Sequence, residues 1–342
     1  MKKVGILTGG GDCPGLNPVI RAAVKYAVKE DYQVVGIKNG WKGLIEDDTV
    51  ELSLQAISGI LPKGGTILGT SRTNPYKKEG AIKKARENFK KMGLEALIAI
   101  GGEDTLGVAN KLSKEGFNVV GAPKTIDNDL SCTDVTFGFD TAINIVTEAI
   151  DRLHTTAESH NRIMVVEVMG RHAGWIALES GIAGGADVIL IPEVPIDLDE
   201  VCGTIKKRHS RGKNFSIVVV AEGAKFKEGT MITQEEKLDA FRHVRLGGIG
   251  QRIGEEIEKR TGYETRVTVL GHIQRGGSPT AFDRVLGTRF GIKAMELVLK
   301  KDYGKMASLA GNKIVAVPLE AAVSELKTVD MELYNIVKIL FG

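Results

Sequence analysis

Short β-branched runs bounded by glycine recur along this chain, at Val4 to Leu7, Ala96 to Ile100, Val119 to Gly121, Ile163 to Val168, Val188 to Ile191, Ile217 to Val220 and Arg266 to Leu270. Between most of them lie stretches with helical spacing of apolar residues, such as Pro18 to Lys29, Gly80 to Met92, Leu106 to Lys114, Thr141 to Thr155 and Arg245 to Arg260. A strand that is apolar on both faces must be covered on both faces, and strands that alternate with helices get that cover from their own crossovers. The pattern predicts an α/β fold of layered, mainly parallel sheets with flanking helices. In such sheets a ligand sits beyond the carboxyl ends of the strands, which directs attention to the loop after each run.

Composition sets the frame. A chain of 342 residues with 42% hydrophobic content can bury one large or two medium domains. Its formal net charge of +3 is small and evenly mixed along the chain, which argues against a nucleic-acid footprint and for small-molecule chemistry. The first residues enter a strand at once, and no run of about eighteen apolar residues occurs, so a soluble cytoplasmic protein with no membrane span is expected. Cys13, Cys132 and Cys202 are odd in number and far apart, which fits neither a disulfide framework nor metal-ligand spacing. They read as reduced bystanders, with Cys13 alone in a glycine loop where it could line a site. The 42 glycines gather in the loops, as a backbone built to approach a ligand closely requires. The two halves read as related βα layers, with a crossover near Asp140 and a return near Gly271. Lys225 to Lys237 is polar and reads as an exposed loop leading into a helix. Leu333, Ile336, Val337 and Leu340 are spaced as the apolar face of a helix that docks on the body.

The loops carry the chemistry. Thr8 to Asn17 contains Gly9, Gly10 and Gly11 ahead of a helix with Pro18 in its first turn, so backbone N–H groups can converge on an anion at a helix start. Taken singly, this loop is also compatible with a ligand-free strand-to-helix turn. It is neither a Walker A sequence nor a dinucleotide fingerprint. Gly64 to Arg72 brings the Arg72 guanidinium to the end of a second glycine-rich turn, as a phosphate clamp or a solvated surface group. Pro123 to Asp129 places Lys124, Thr125, Asp127 and Asp129 behind a strand, where two neighbouring carboxylates can be pushed toward different ionisation. An Asx turn is the plain alternative. Gly101-Gly102-Glu103-Asp104-Thr105 sets two adjacent carboxylates after another strand. Three further strand ends deliver Arg171, Glu222, His272 and Arg275, a set suited to the phosphate and hydroxyls of a sugar phosphate.

Gly9 to Asp12, Pro123 to Asp129, Met169 to Gly174 and Gly271 to Gly277, in that order, resemble the signatures of the 6-phosphofructokinase family over roughly the first three hundred residues. The resemblance implies phosphoryl transfer to the 1-hydroxyl of fructose 6-phosphate with Mg2+ as cofactor. It implies a larger domain, 1–140 plus 275–325, for the phosphoryl donor and Mg2+, and a smaller one, 141–274, for the sugar phosphate. Residues 326–342 form a C-terminal helix in this reading. Position by position, Asp127 is the general base, Asp129 its neighbour near metal and sugar, and Thr125 a hydrogen-bond partner of the transferring group. Gly11 and Arg72 fall with the donor. Met169, Gly170, Arg171, Glu222, His272 and Arg275 match the sugar-phosphate pocket. Arg162 and Arg266 match arginines lent across a subunit interface, which implies a homodimer or homotetramer with shared active sites.

In ATP-using members the positions of Asp104 and Lys124 are glycines. A carboxylate at Asp104 would repel a nucleotide's α-phosphate by on the order of several kcal/mol at short range and intermediate dielectric. Lys124 supplies a cation for pyrophosphate. The pair resembles that of pyrophosphate-dependent relatives, so Asp104, Lys124, Asp127 and Arg171 are the expected catalytic set. Glu103 stands where many relatives have a metal-associated Asp. Of the basic cluster that binds effectors in short bacterial ATP-dependent relatives, Arg21 and Lys213 match and Arg211 is a basic variant. Lys25, Leu54, His154 and Asp187 do not match, so weak or absent allosteric control is expected. An ATP-dependent enzyme is the nearest alternative and a non-catalytic sugar-phosphate sensor the next, against which the retained Asp127 argues. A nicotinamide dehydrogenase lacks the required glycine spacing.

Overall fold

The computed structural model describes residues 2–227 and 248–342. In chain order the elements are β1 (Lys2–Thr8), α1 (Leu16–Lys29), β2 (Tyr32–Ile37), α2 (Trp41–Glu46), β3 (Thr49–Glu51), α3 (Ala81–Lys91), β4 (Leu94–Gly101), α4 (Glu103–Lys114), β5 (Val119–Pro123) and α5 (Phe139–His160). There follow β6 (Ile163–Val168), α6 (Trp175–Ala183), β7 (Val188–Leu190), α7 (Leu198–Ser210), β8 (Ser216–Ala221), α8 (Ile249–Thr261) and β9 (Thr265–Val269). The chain continues through α9 (Ala281–Leu299), β10 (Lys305–Ala310), β11 (Lys313–Pro318), α10 (Leu319–Ala322) and α11 (Met331–Val337). Every strand expected from the sequence is present to within about two residues, and the alternation with helices is that of an α/β protein. Two compact units result: Met1–Ile126 with Leu130–Thr141 and Arg275–Leu326, and Asp127–Asp129 with Ala142–Gln274 and Lys327–Gly342.

The first unit holds a seven-stranded sheet in the order β11-β10-β5-β4-β1-β2-β3. Its central pairings, β10 with β5, β5 with β4, β4 with β1 and β1 with β2, are parallel, while β3 and β11 close the two edges antiparallel. Register decides where the loops fall: Thr8 lies opposite Ile100, and Gly101 opposite Pro123. The loops that begin at Gly9, Gly102 and Lys124 therefore start side by side. Beneath them Leu7, Ile37, Trp41, Leu97, Leu106, Val119 and Met306 form one buried cluster, each large side chain contributing roughly 1.5–3 kcal/mol through burial. On the other face α1 crosses α9 closely, because Gly287 and Gly291 let the backbone of one helix meet the other: a Cβ on Gly287 would lie 3.0 Å from the Gly15 carbonyl oxygen.

The second unit holds a four-stranded, all-parallel sheet in the order β7-β8-β6-β9. Val168 is paired with Ala221, and the Glu222 N–H donates to the Val168 carbonyl at 2.8 Å, so the loops after β6 and β8 open next to each other. The core beneath is Val165, Val218, Val220, Ile205, Ile253 and their neighbours. The start of α8 is held from the sheet, where the buried Glu167 carboxylate accepts the N–H groups of Gly248 at 3.0 Å and Gly250 at 2.8 Å. That fills the role of an N-cap for a helix with no capping side chain of its own.

Two expectations change in detail. The C-terminal α-helix occupies only Met331–Val337, and it docks through Val337 of the expected stripe together with Tyr334, which the stripe of Leu333, Ile336, Val337 and Leu340 does not include. Ile336 and Leu340 are exposed; the Tyr334 hydroxyl donates to the Ile189 carbonyl at 3.1 Å, and this polar anchor sets the rotation of the helix. Helix α4 begins at Glu103, three residues earlier than the apolar spacing suggests, so both acids lie in its first turn. Of Lys225 to Lys237, residues 228–237 lie outside the described residues, as do 245–247 of the helix expected from Arg245. Among the described residues no helix is long and apolar enough to cross a membrane.

Candidate active site

In the first unit the glycine loop after β1 is laced to the loop before Arg72. The Gly10 N–H donates to the Ser71 carbonyl at 3.2 Å, the Thr70 hydroxyl to the Gly10 carbonyl at 2.6 Å and the Thr8 hydroxyl to the Gly69 carbonyl at 2.7 Å. Asn17 fixes the other end, donating to the Lys63 carbonyl and accepting the Ile67 N–H. Lys124 is buried, and its ammonium donates to the Gly11 carbonyl. Arg275 lies against the same residue, so close that a Cβ on Gly11 would overlap its guanidinium. Gly11 is thus bracketed by two cations. Arg72, Glu103 and Asp104 are exposed. The Lys124 N–H donates to the Gly101 carbonyl at 3.0 Å, and a Cβ on Gly102 would lie 3.3 Å from the Lys124 carbonyl oxygen, so the turn carrying Glu103 and Asp104 abuts the loop carrying Lys124 and Thr125. The Thr125 carbonyl is held by the Thr136 hydroxyl at 2.8 Å.

Nearby, Asp283 is wholly buried and accepts the Gly138 N–H at 2.9 Å, the Thr141 N–H at 2.9 Å and the Thr141 hydroxyl at 2.5 Å. Burial pushes its carboxyl up to about 6, against those hydrogen bonds. Burial also pushes the Cys13 thiol up, with the Lys124 ammonium opposing, so Cys13 is a neutral, packed thiol rather than a nucleophile.

In the second unit Asp127, Asn128 and Asp129 are all buried, and Asn128 takes a left-handed φ of 53°. The loop after β6 is also specialised: Gly170 has φ 142° and Arg171 φ 52°, and the Arg171 N–H donates to the Glu222 carboxylate at 3.3 Å. Met169, Gly170, Arg171 and Glu222 are therefore brought together. Gln274, fully buried, accepts the Met169 N–H at 3.2 Å and donates to the Gly271 carbonyl at 3.1 Å, tying that loop to the turn carrying the exposed His272. Arg162 and Arg266 meet elsewhere in this unit, on one carboxylate. Arg162 reaches Glu264 at 2.8 Å and Arg266 pairs with the same group. The Arg162 hydrogen bond, with both guanidinium charges, holds the Glu264 carboxyl below its ordinary value.

Mg2+ keeps several waters and takes one or two protein carboxylates together with substrate phosphates, so it needs no all-protein cage. Among the described residues no group of three or more His, Cys, Asp and Glu side chains forms such a cage. Glu103 fits the smaller requirement, as an exposed carboxylate in the first turn of α4 beside the glycine loop.

Three residues that touch these loops have no role in the sequence analysis: Gln274, Glu193, which accepts the Gly174 N–H, and Lys327, which donates to the Asn128 side chain. Gln274 had a signal, since it stands between His272 and Arg275. The other two meet partners that no local pattern marks.

The phosphofructokinase family model matches residues 3–298. The pyrophosphate–fructose 6-phosphate 1-phosphotransferase of Streptomyces coelicolor is 59% identical over 342 residues, covering 99% of this chain and 100% of that one. ATP-dependent 6-phosphofructokinase 3 of the same organism is 54% identical over 328 residues, covering 96% of each. Among solved structures, phosphofructokinase from Saccharomyces cerevisiae superposes with a TM-score of 0.83 at 32% identity, covering 95% of this chain, which spans 45% of the length of that one. With a family match over most of its length and full-length relatives well above 30% identity, the chain belongs to the phosphofructokinase family.

Proposed function

We propose that the chain is a cytoplasmic, pyrophosphate-dependent phosphofructokinase. It transfers a phosphoryl group from pyrophosphate to the 1-hydroxyl of fructose 6-phosphate, giving fructose 1,6-bisphosphate and phosphate, reversibly. The observation that carries the donor choice is the pairing of Asp104, in the first turn of α4, with the buried Lys124 on the adjoining loop. A nucleotide's α-phosphate would meet the Asp104 carboxylate, whereas pyrophosphate has no group there. The relative with a pyrophosphate name is somewhat more similar than the one with an ATP name.

In this reading Asp127 accepts the proton of the 1-hydroxyl as its oxygen forms a bond to phosphorus, and the bridging P–O bond breaks to release phosphate. Lys124 neutralises donor oxygens, and so does Arg275, which the resemblance assigns to the sugar-phosphate pocket but which lies against Gly11 of the glycine loop; that loop offers N–H groups, and Thr125 donates to the transferring group. Met169, Gly170, Arg171, Glu222 and His272 hold the sugar phosphate, with Asp129 beside the base. Phosphoryl transfer asks the protein chiefly for positioning and charge stabilisation, and this set supplies both. Glu103 would hold Mg2+ together with phosphate oxygens, and the ion would supply further positive charge there. Arg162 and Arg266 serve a neighbouring subunit's site in a homodimer or homotetramer. The departures at Leu54, His154 and Asp187 support weak effector control.

Initial rates with pyrophosphate and with ATP, each with fructose 6-phosphate and Mg2+, test the reading. Turnover at least tenfold faster with pyrophosphate is expected, by about 1.4 kcal/mol or more in the transition state. ATP turnover equal to or above it overturns the donor assignment.

A further inference from the structure

The segment after Leu326 binds the two loops of the second unit that carry its chemistry. The Lys327 N–H donates to the Asp129 carbonyl at 3.0 Å, and the Lys327 ammonium donates to the Asn128 side-chain oxygen at 3.2 Å. The same ammonium stands 5.1 Å from the centre of the Trp175 ring, and the Trp175 indole N–H donates back to the Lys327 carbonyl at 2.9 Å. Two residues on, the Val329 N–H donates to Glu193 at 2.9 Å, and the same carboxylate oxygen accepts the Gly174 N–H at 3.0 Å. Gly174 and Trp175 end the sugar-phosphate loop and begin α6; Asn128 and Asp129 follow Asp127 directly.

Asn128 is the element that needs holding. It is a buried, non-glycine residue in the left-handed region, and such a conformation costs energy that the surroundings must supply. Asp127 precedes it directly, so the backbone that carries Asp127 is anchored through Asn128. The Lys327 side chain grips Asn128 on one side and lies over Trp175 on the other, where the cation–aromatic attraction fixes the ammonium. We propose that Lys327 is a positioning residue: through Asn128 it sets the aim of Asp127, and through Trp175 it ties that aim to the loop that binds the sugar phosphate. The inference rests on the reading of Asp127 as general base.

Lys327→Met tests it, because it keeps the aliphatic stem and both backbone hydrogen bonds and removes only the ammonium. With pyrophosphate, fructose 6-phosphate and Mg2+, kcat is expected to fall about 10- to 50-fold while KM for fructose 6-phosphate moves less than about threefold, the signature of a misaimed group. Lys327→Arg, which restores a cation able to stack and donate, is expected to recover kcat to within about fivefold. Asn128→Gly keeps the backbone conformation and removes the acceptor, and combining it with Lys327→Met is expected to add no further loss. Should the Met variant fold poorly, the Arg and Gly variants carry the test, since Asn128→Gly alone is expected to reproduce the fall in kcat. Unchanged kcat in a folded Lys327→Met protein overturns the proposal, as does full additivity with Asn128→Gly or a rise in KM with kcat intact. Asp127→Asn separates the two ideas. If it retains turnover, the base assignment fails whatever Lys327 does; if it is inactive while Lys327→Met is normal, only the positioning role fails.

Discussion

The guanidinium of Arg275 fills the space into which a side chain on Gly11 would project. The two residues are far apart in sequence yet define one wall of the proposed donor site, with Lys124 bonded to the Gly11 carbonyl. Gly11→Ala forces Arg275 aside without touching the core. We expect kcat/KM for pyrophosphate to fall about 100-fold, with the melting temperature within about 2 °C of the parent. Steady-state kinetics and calorimetry on the same preparation check it, and an active Gly11→Ala enzyme would remove Arg275 from the donor site.

Asp104→Gly removes the carboxylate that the proposed function sets against a longer donor. Pyrophosphate turnover is expected to weaken, and ATP turnover to rise from its parent level, incompletely while Lys124 remains. The ratio of the two initial rates is the measurement. An unchanged ratio would count against the steric and electrostatic account.

Gly291 in α9 faces the Val19 carbonyl of α1, and an added Cβ would overlap that oxygen. Both atoms belong to helix backbones, so relief requires the helices to separate. Gly291→Ala is expected to destabilise the protein by roughly 2–3 kcal/mol, despite the better helix propensity of alanine. Urea unfolding measures the loss; no change would mean that the helices part more easily than their close crossing implies.

Asp283 gives stability a specific pH dependence. Its carboxyl sits at about 6 in the fold against an ordinary 3.8, with burial the leading cause and Asp140 adding to the rise. The folded state therefore binds the extra proton between those values. This group's contribution is greatest below about pH 4 and falls as pH rises through about 6, by on the order of 3 kcal/mol in total. Asp283→Asn cannot titrate. The stability gap between parent and Asp283→Asn is expected to narrow as pH rises from about 4.5 to 7, measured by denaturant unfolding at several pH values. A constant or widening gap would show that the hydrogen bonds from Gly138 and Thr141 outweigh burial.

The central strands and the ligand-bearing loops were readable because their cause is local: Ile163–Val168 is apolar on both faces, and glycine and charge follow where it ends. Helix α9 was less readable, since Gly287 and Gly291 take the contact with α1 while Phe282, Val285 and Ile292 face outward, which blurs any apolar period. The C-terminal helix misled for a related reason. Its spacing named Val337, which is buried, but also Ile336 and Leu340, which are exposed, while the buried Tyr334 lay outside the stripe. Within the site, Gly11, Lys124, Arg171 and Glu222 announced themselves as types suited to phosphate and sugar at strand ends. Glu193 and Lys327 did not, because Glu193 accepts backbone N–H groups and the Lys327 ammonium meets Asn128 and Trp175, partners that only the folded chain brings near.

The grip of Lys327 on Asn128 spans 199 positions of sequence. During synthesis the segment around Asp127 leaves the ribosome long before the lysine that holds it, and contacts of such separation close late. At about 5–20 residues per second, some tens of seconds or less separate the synthesis of Asn128 from that of Lys327. The Asp127–Asp129 loop thus takes its last tether only when nearly the whole chain has been made, so its final shape is timed by elongation itself.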